Sequence, residues 1–377
     1  DRSELTMKKI FPVLIISCFL FIHCTNLSTW NDTFHADEAR TGVFRSAAGR
    51  NLGSVRWKFK TGGEKKVGAN GLWTMKPADM YMEDLWDFFL SSPVIGVNGP
   101  GINKGPTVYF GSSDGNLYAL DATSGSLKWK FHTEGIIHSS PALYEGNIYF
   151  GSWDTYMYAV DAQTGKEIWK FKTRDQPGYH QLEGIQASPS INDGVLYFGA
   201  RDGFFYALKA KTGDSLWSFS ADNSWVLTTA AIIDSTVLFG TSDTYLLYAL
   251  DTKTGRKKFS MKAKGYLYSS PAISRRMAYF GDFTGNFYAL DLRSGGKNMQ
   301  TFSTDSRKLH AADILNQKGE LDFAYTAARD DLTLYTSSVR VMNAFYSLGS
   351  IVSSPAIYGS SIYFGSADGN LYAIELL

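Results

Sequence analysis

Hydrophobic and polar positions alternate in short runs along this chain, and the runs recur in a fixed order. VYFG at 108–111 is followed by Ser-Ser-Asp-Gly, then NLYALD at 116–121, then Ala-Thr-Ser-Gly, then LKWKF at 127–131. Apolar runs of this length, rich in Tyr, Phe, Leu and Val and bounded by Gly-containing turns, read as β-strands. Asp-Gly between two of them is a hairpin signal. Residues 148–171 and 196–219 are near copies, "IYFGSWDTYMYAVDAQTGKEIWKF" and "LYFGARDGFFYALKAKTGDSLWSF". Weaker copies occupy 237–260 and 278–301, and 362–375 carries the first half of another.

A Ser-Ser-Pro marker precedes each copy. Its last residue is Pro93, Pro141, Pro189, Ala230 (in Thr-Thr-Ala), Pro271 and Pro355. The marker returns every ~41–48 residues, a spacing that signals a repeat architecture, except that the last interval is about twice as long. A degenerate unit is therefore expected near Asp313, where Ala-Ala-Asp stands for the marker; the alternative is a long insertion. Each unit offers four strand signals, so it predicts one four-stranded antiparallel blade of an all-β propeller. Counting markers gives seven blades, with six or eight as alternatives. The last unit stops after its third strand, at LYAIELL. GSVRWKFKTGG, residues 53–63, supplies the missing fourth strand and would close the ring without a free edge.

The N-terminal region follows a different pattern. Residues 1–6 precede Met7 and are set apart as upstream sequence. From Met7, Lys8 and Lys9 lead into the apolar stretch Ile10–Ile22, too short to span a bilayer comfortably. Residues 7–24 are therefore expected to be an export or lipoprotein signal, 25–50 a lead-in segment and 51–377 a single propeller domain. The only two cysteines of the chain, Cys18 and Cys24, lie in this signal, so the propeller needs no disulfide. Cys24 is the expected lipidation site, which would anchor the protein to a membrane without spanning it; cleavage to a soluble product is the alternative. A net charge of +1 gives no basic face of the kind a dedicated nucleic-acid binder shows.

"DGNLYALDATSGSLKWKF" resembles the pyrroloquinoline-quinone-like propeller repeat, with its Ala-x-Asp-x-x-Thr-Gly-x-x-x-Trp core, and the resemblance extends over about residues 37–377. It implies that Trp57, Trp129, Trp169 and Trp217 pack between blades; Phe259 and Met299 stand at the same place in two others. Quinoprotein dehydrogenases with this repeat carry adjacent cysteines under the quinone, a calcium site and a catalytic Asp. This sequence has no such cysteine pair or recurring carboxylate cluster, so no cofactor, no metal and no catalytic residue is expected. The chain is also similar to the outer-membrane barrel-assembly lipoproteins, which implies an exported scaffold, periplasmic or anchored at the outer membrane, with an envelope protein as partner. A quinone- or metal-dependent oxidoreductase and a small-ligand sensor are the competing readings.

Propeller sites gather on loops at one mouth of the central channel. The residues just before the markers include His138, Gln186, Tyr268 and His310, which are expected to form a binding ring there. Two longer connections, 64–90 and 174–186, should crowd the same rim. They would add Trp73, Trp86, Tyr179 and His180 to Trp153 and Trp225 as an aromatic recognition surface.

Overall fold

A computed structural model describes residues 54–61, 91–96, 105–175, 184–322 and 334–377. Blade 1 shows how the repeat folds. Strands β1 (Val94–Gly96), β2 (Thr107–Gly111), β3 (Asn116–Asp121) and β4 (Leu127–His132) pair antiparallel in that order. Blades 2 to 5 repeat the order over residues 142–172, 190–220, 231–262 and 272–303. Blade 6, residues 356–375, has three strands.

The turns are built as the sequence predicts. Between β2 and β3, Gly115 takes φ +80°, and the Asp114 carboxylate accepts from the Asn116 amide at 3.0 Å. Asp114 also accepts from the Tyr118 hydroxyl, two strand residues on. Blades 2, 3 and 6 repeat this Asp–Tyr bond with Asp154–Tyr158, Asp202–Tyr206 and Asp368–Tyr372. In these four blades the carboxylate ties the hairpin turn to its own third strand, whereas in blade 4 Tyr248 donates to Asp222 of the preceding linker.

The blades are joined through the second turn. Gly165 has φ +70°, and a Cβ on it would lie 2.7 Å from the ring of Trp129, which belongs to the blade before. The indole of Trp129 lies on this glycine and donates to the Ala162 carbonyl at 3.1 Å. Trp169 meets Gly213 and Ala210, and Trp217 meets Gly255 and Thr252, in the same way. Trp57 does so on Gly125 and Ala122 of blade 1. Phe259 lies against Gly296 without the hydrogen bond that indole supplies. Trp129, Trp169 and Trp217 therefore each pack on the following blade, and Trp57 packs on blade 1.

Burial follows from this stacking. Each main apolar cluster spans two neighbouring blades; one, for example, joins Tyr149 and Met157 of blade 2 to Leu196, Phe198 and Tyr206 of blade 3. The second and third strands of blades 1 to 5 are nearly wholly buried, whereas the fourth strands are largely exposed. At the centre, the marker serines form a ladder. Ser92 N–H donates to Ser140 Oγ at 2.8 Å, Ser140 N–H to Ser188 Oγ at 2.9 Å, and Thr229 N–H to Ser270 Oγ at 3.0 Å. In each of these bonds the hydroxyl of the second marker residue accepts from the amide of the second marker residue of the blade before.

The long marker interval is an insertion. Residues around Asp313 form helix α1 (Asp305–Ile314), and Leu334–Ser347 forms helix α2. Thr304 caps α1, its hydroxyl accepting from the Arg307 amide. Val341, Ala344, Phe345 and Leu348 recur at helical spacing, and they pack against Phe283, Tyr266 and Tyr268. The apolar runs read as strands here thus have a period close to that of a helix. Blades 5 and 6 are direct neighbours across the insertion. Ser270 N–H donates to Ser354 Oγ at 3.1 Å. Phe287 and Phe364 stack face to face at 4.0 Å, matching Phe205 and Phe239 between blades 3 and 4. The described residues hold six blades, the count that follows from an insertion near Asp313.

Of the two contacts expected of the N-terminal segment, the described residues show the one with blade 1. Trp57 docks on blade 1 as a fourth-strand tryptophan does, with Phe59 edge-on to Phe110 and Tyr118. Among the described residues, however, the third strand of blade 6 pairs only with its second, and Leu371 on it is 75% exposed.

The joint between blades can be tested with two glycines. Gly165→Ala places a methyl group in the Trp129 ring, whereas Gly295, also at positive φ, has open space around it. Gly295→Ala should cost about 1–2 kcal/mol from backbone strain alone. Gly165→Ala should cost at least about 1 kcal/mol more, from overpacking. Urea denaturation of the two variants measures the difference; equal costs would rule out a tight Trp–Gly joint.

Candidate functional site: the propeller mouth

The segment leading into each blade threads between two hairpin turns, and the backbone fixes it there. Ile137 N–H donates to Ser112 O of blade 1, and Trp153 N–H of blade 2 donates to Ile136 O. The same pair of bonds recurs as Ile185 to Ser152 with Arg201 to Gly184, and as Val226 to Ala200 with Ser242 to Trp225. It returns as Leu267 to Thr241 with Phe283 to Tyr266. Two kinds of position therefore face each other around one end of the ring. One is the residue before the marker; the other is the third residue of the hairpin turn, in Gly-Ser-Trp-Asp or Gly-Ala-Arg-Asp.

Side chains from both positions form a continuous arc. Ser113 Oγ lies 3.4 Å from His138 Nε2. The His138 ring stands edge-on to Trp153, with centroids 4.9 Å apart. The guanidinium of Arg201 lies 4.1 Å from the Trp153 ring centroid and 4.7 Å from that of Trp225. It also donates to Gln186 Oε1 at 2.6 Å. A guanidinium held between two indoles gains up to about 2 kcal/mol from each face when desolvated. Further round, Tyr268 reaches Ser242 at 3.5 Å and packs on Phe283 at 4.6 Å. Phe345 of α2 stands against Phe283 at 5.3 Å, so the insertion covers the tyrosine end of the arc.

Burial sets the charges. Arg201 is 2% exposed, and burial lowers its pKa to about 10, leaving it charged at neutral pH. Burial, and then the charge of Arg201, lower His138 to about 4, so its imidazole is neutral. Burial pushes the Tyr268 hydroxyl up, keeping it protonated. Among the described residues, the arc thus sets a charged guanidinium beside a neutral imidazole, a protonated tyrosine and aromatic faces. Among the described residues, no three His, Cys, Asp or Glu side chains come together as a metal-binding group.

Of the expected ring, the structure brings His138 and Gln186 into one arc with Tyr268. His310 does not join them. It sits on α1 with its side chain exposed, because its segment is helical and leads into no blade. Trp153 and Trp225 join the arc. Trp73, Trp86, Tyr179, His180 and Cys24 lie outside the described residues. The sequence reading missed Arg201, although a signal was present. Within the repeated Gly-x-x-Asp turn, the third residue varies as Ser113, Trp153, Arg201 and Ser242 while its neighbours persist.

A family model described as "Outer membrane protein assembly factor BamB" matches residues 46–218 and again 154–376. No curated protein matches the chain by sequence. Among solved structures, the computationally designed protein Ika8 is 14% identical and covers 75% of this chain and 70% of its own, with a TM-score of 0.51. Quinohemoprotein alcohol dehydrogenase ADHIIG from Pseudomonas putida HK5 is 16% identical, with a TM-score of 0.55; the match covers 76% of this chain and 52% of the dehydrogenase. BamB from Moraxella catarrhalis is 16% identical over 75% of this chain and 83% of its own, with a TM-score of 0.46. Likeness at these identities concerns the fold alone.

Burial of neutral His138 makes stability depend on pH. The unfolded imidazole binds a proton below its ordinary pKa of about 6.5, whereas the folded one resists protonation until about 4. Between these values the unfolded state holds more protons, so stability falls as pH falls through this window. The loss attributable to His138 is about 3 kcal/mol. Denaturation midpoints of the native chain and of His138→Gln, compared from pH 7 to pH 4, should differ by this slope. Parallel curves would place His138 in contact with water.

Proposed function

The chain belongs to the family of the outer membrane protein assembly factor BamB, and on that premise we propose that it is an exported, non-catalytic scaffold of the bacterial envelope that docks a protein partner at its mouth. The observation that carries the docking site is the Trp153–Arg201–Trp225 stack. Trp, Tyr and Arg are the residue types that anchor protein interfaces, and here they are held on hydrogen-bonded turns and linkers. A positioned anchor loses little conformational freedom when a partner binds. The sequence from Met7 to Cys24 supports export. Acylation at Cys24 would hold the propeller at the outer membrane, in the periplasm.

The competing oxidoreductase reading draws on the dehydrogenase fold neighbour. Among the described residues, the mouth lacks the cysteine pair and carboxylates of the quinone site that the repeat's dehydrogenases use, which favours the scaffold reading. Both cysteines lie in the N-terminal signal. The mouth offers a guanidinium, amide, hydroxyl and imidazole groups, with no carboxylate cluster to hold calcium among the described residues.

A photo-crosslinking residue at Trp225 or at Gln186, in cells, tests the docking face. The expected result is a discrete adduct with one envelope protein. The same residue at Ile168, exposed on the outer edge of blade 2, should give none. Equal or absent adducts at all three sites would overturn the reading. Calorimetric titration with pyrroloquinoline quinone, with and without calcium, tests the competitor, and saturable one-to-one binding would favour it.

A further inference from the structure

Charge is not spread evenly over the outer edge of the ring. Segment 54–61, β4 and the fourth strand of blade 2 (Glu167–Lys172) follow one another along it. Trp57 lies on the Gly125 turn that leads into β4, and Trp129 lies on the Gly165 turn that leads into the strand after. These three stretches carry Arg56, Lys58, Lys60, Lys130 and Lys170, all exposed. Among the described residues, none of these five forms an ion pair. Glu167 is the one carboxylate on the three stretches, and Glu134 and Asp161 flank them. Asp161 is engaged by its own turn, accepting from the Gln163 and Thr164 amides. Elsewhere the edge differs. The fourth strands of blades 3 and 5 carry no charged residue. In blade 4, Lys258 and Lys262 pair with Asp251 and Glu320.

Aliphatic side chains stand exposed between the cations: Val55 at 73%, Leu127 at 49% and Ile168 at 44%. Lysine alone on an outermost strand guards against pairing with another sheet edge. Exposed aliphatic residues beside it work against that protection. Cations interleaved with aliphatic side chains match a surface that is anionic at its headgroups and apolar beneath them. We propose that this edge rests on an anionic phospholipid surface, with Lys58, Lys130 and Lys170 at the headgroups and Val55, Leu127 and Ile168 pressed between them. The route of the chain agrees with this orientation. Cys24, the expected acylation site, precedes Ser54 in sequence, so a lipid there would tether the molecule through the segment that lies on this same edge. The proposal rests on the export reading for the membrane it meets, and it is independent of protein docking at the mouth.

The test uses the full chain with Cys18→Ser and Cys24→Ser, carrying a single nitroxide label at Leu127→Cys or at Met299→Cys. Met299 is the counterpart of Leu127 on blade 5, since the two pair with the equivalent residues Leu290 and Leu120. The apolar stretch Ile10–Ile22 can hold the chain at any vesicle, so the readout is the environment of the label rather than binding itself. The probes are vesicles of phosphatidylcholine mixed with phosphatidylglycerol, and vesicles of phosphatidylcholine alone. On the mixed vesicles the Leu127 label should lose contact with a water-soluble relaxation agent and gain contact with oxygen dissolved in the lipid. The Met299 label should stay in water, and on phosphatidylcholine alone both should. Lys58→Gln, Lys130→Gln and Lys170→Gln should each shift the Leu127 label back toward water about fivefold in the contact equilibrium, with the thermal transition unchanged. High sodium chloride should do the same without any substitution, which keeps the test readable if a variant is unstable. A Leu127 label that remains in water on the mixed vesicles would overturn the proposal. So would an equal change at Met299, or a change that survives both salt and lysine replacement. Each of these outcomes leaves export standing, which acylation of Cys24 in cells reports separately.

Discussion

An indole lying on a glycine holds this propeller together. Each of Trp57, Trp129, Trp169 and Trp217 covers the positive-φ glycine of the following turn and donates to a carbonyl three residues before it. The contact fixes both distance and rotation between blades. The glycine must lack a Cβ for the ring to approach, and the carbonyl must face the indole for its N–H to be satisfied. A single four-stranded blade would leave an apolar face in water. The joint brings the next blade over it, so that every main cluster is shared by two blades. Where Phe259 takes the place of Trp, packing remains and the hydrogen bond is lost, and the shared cluster carries the contact.

The mouth inherits its geometry from that stacking. Once neighbouring blades are set, the linker between them is clamped by one backbone bond to each hairpin turn. Variable side chains then stand on a backbone that does not vary. Ser113, Trp153, Arg201, Ser242 and Phe283 occupy equivalent turn positions, and His138, Gln186 and Tyr268 occupy equivalent linker positions. A scaffold of this kind can change what it recognises one blade at a time without disturbing its core, because the variable residues are separate from the Asp–Tyr and Trp–Gly contacts that build the blade. The helical insertion adds another layer. By seating Phe345 against Phe283, it closes the tyrosine end of the arc and leaves the Arg201 end to define the site.

The sequence by itself determined the blade. Gly-containing turns and short apolar runs are local signals that the structure follows through blades 1 to 5, and the recurring Trp is followed through blades 1 to 3. It also determined which residue types stand before the markers, so His138, Gln186 and Tyr268 could be named in advance. Tertiary structure decided the rest. His310 matched the pattern of the ring by counting alone, but its segment forms α1, which Thr304 caps and which buries only Ile314, in the cluster shared with Phe283 and Phe345. Arg201 looked like one polar turn residue among many. Only the stacking of blades 2, 3 and 4 placed two indoles across its guanidinium and removed it from water. Such a contact joins residues brought together by three separate blades, and no local pattern encodes it.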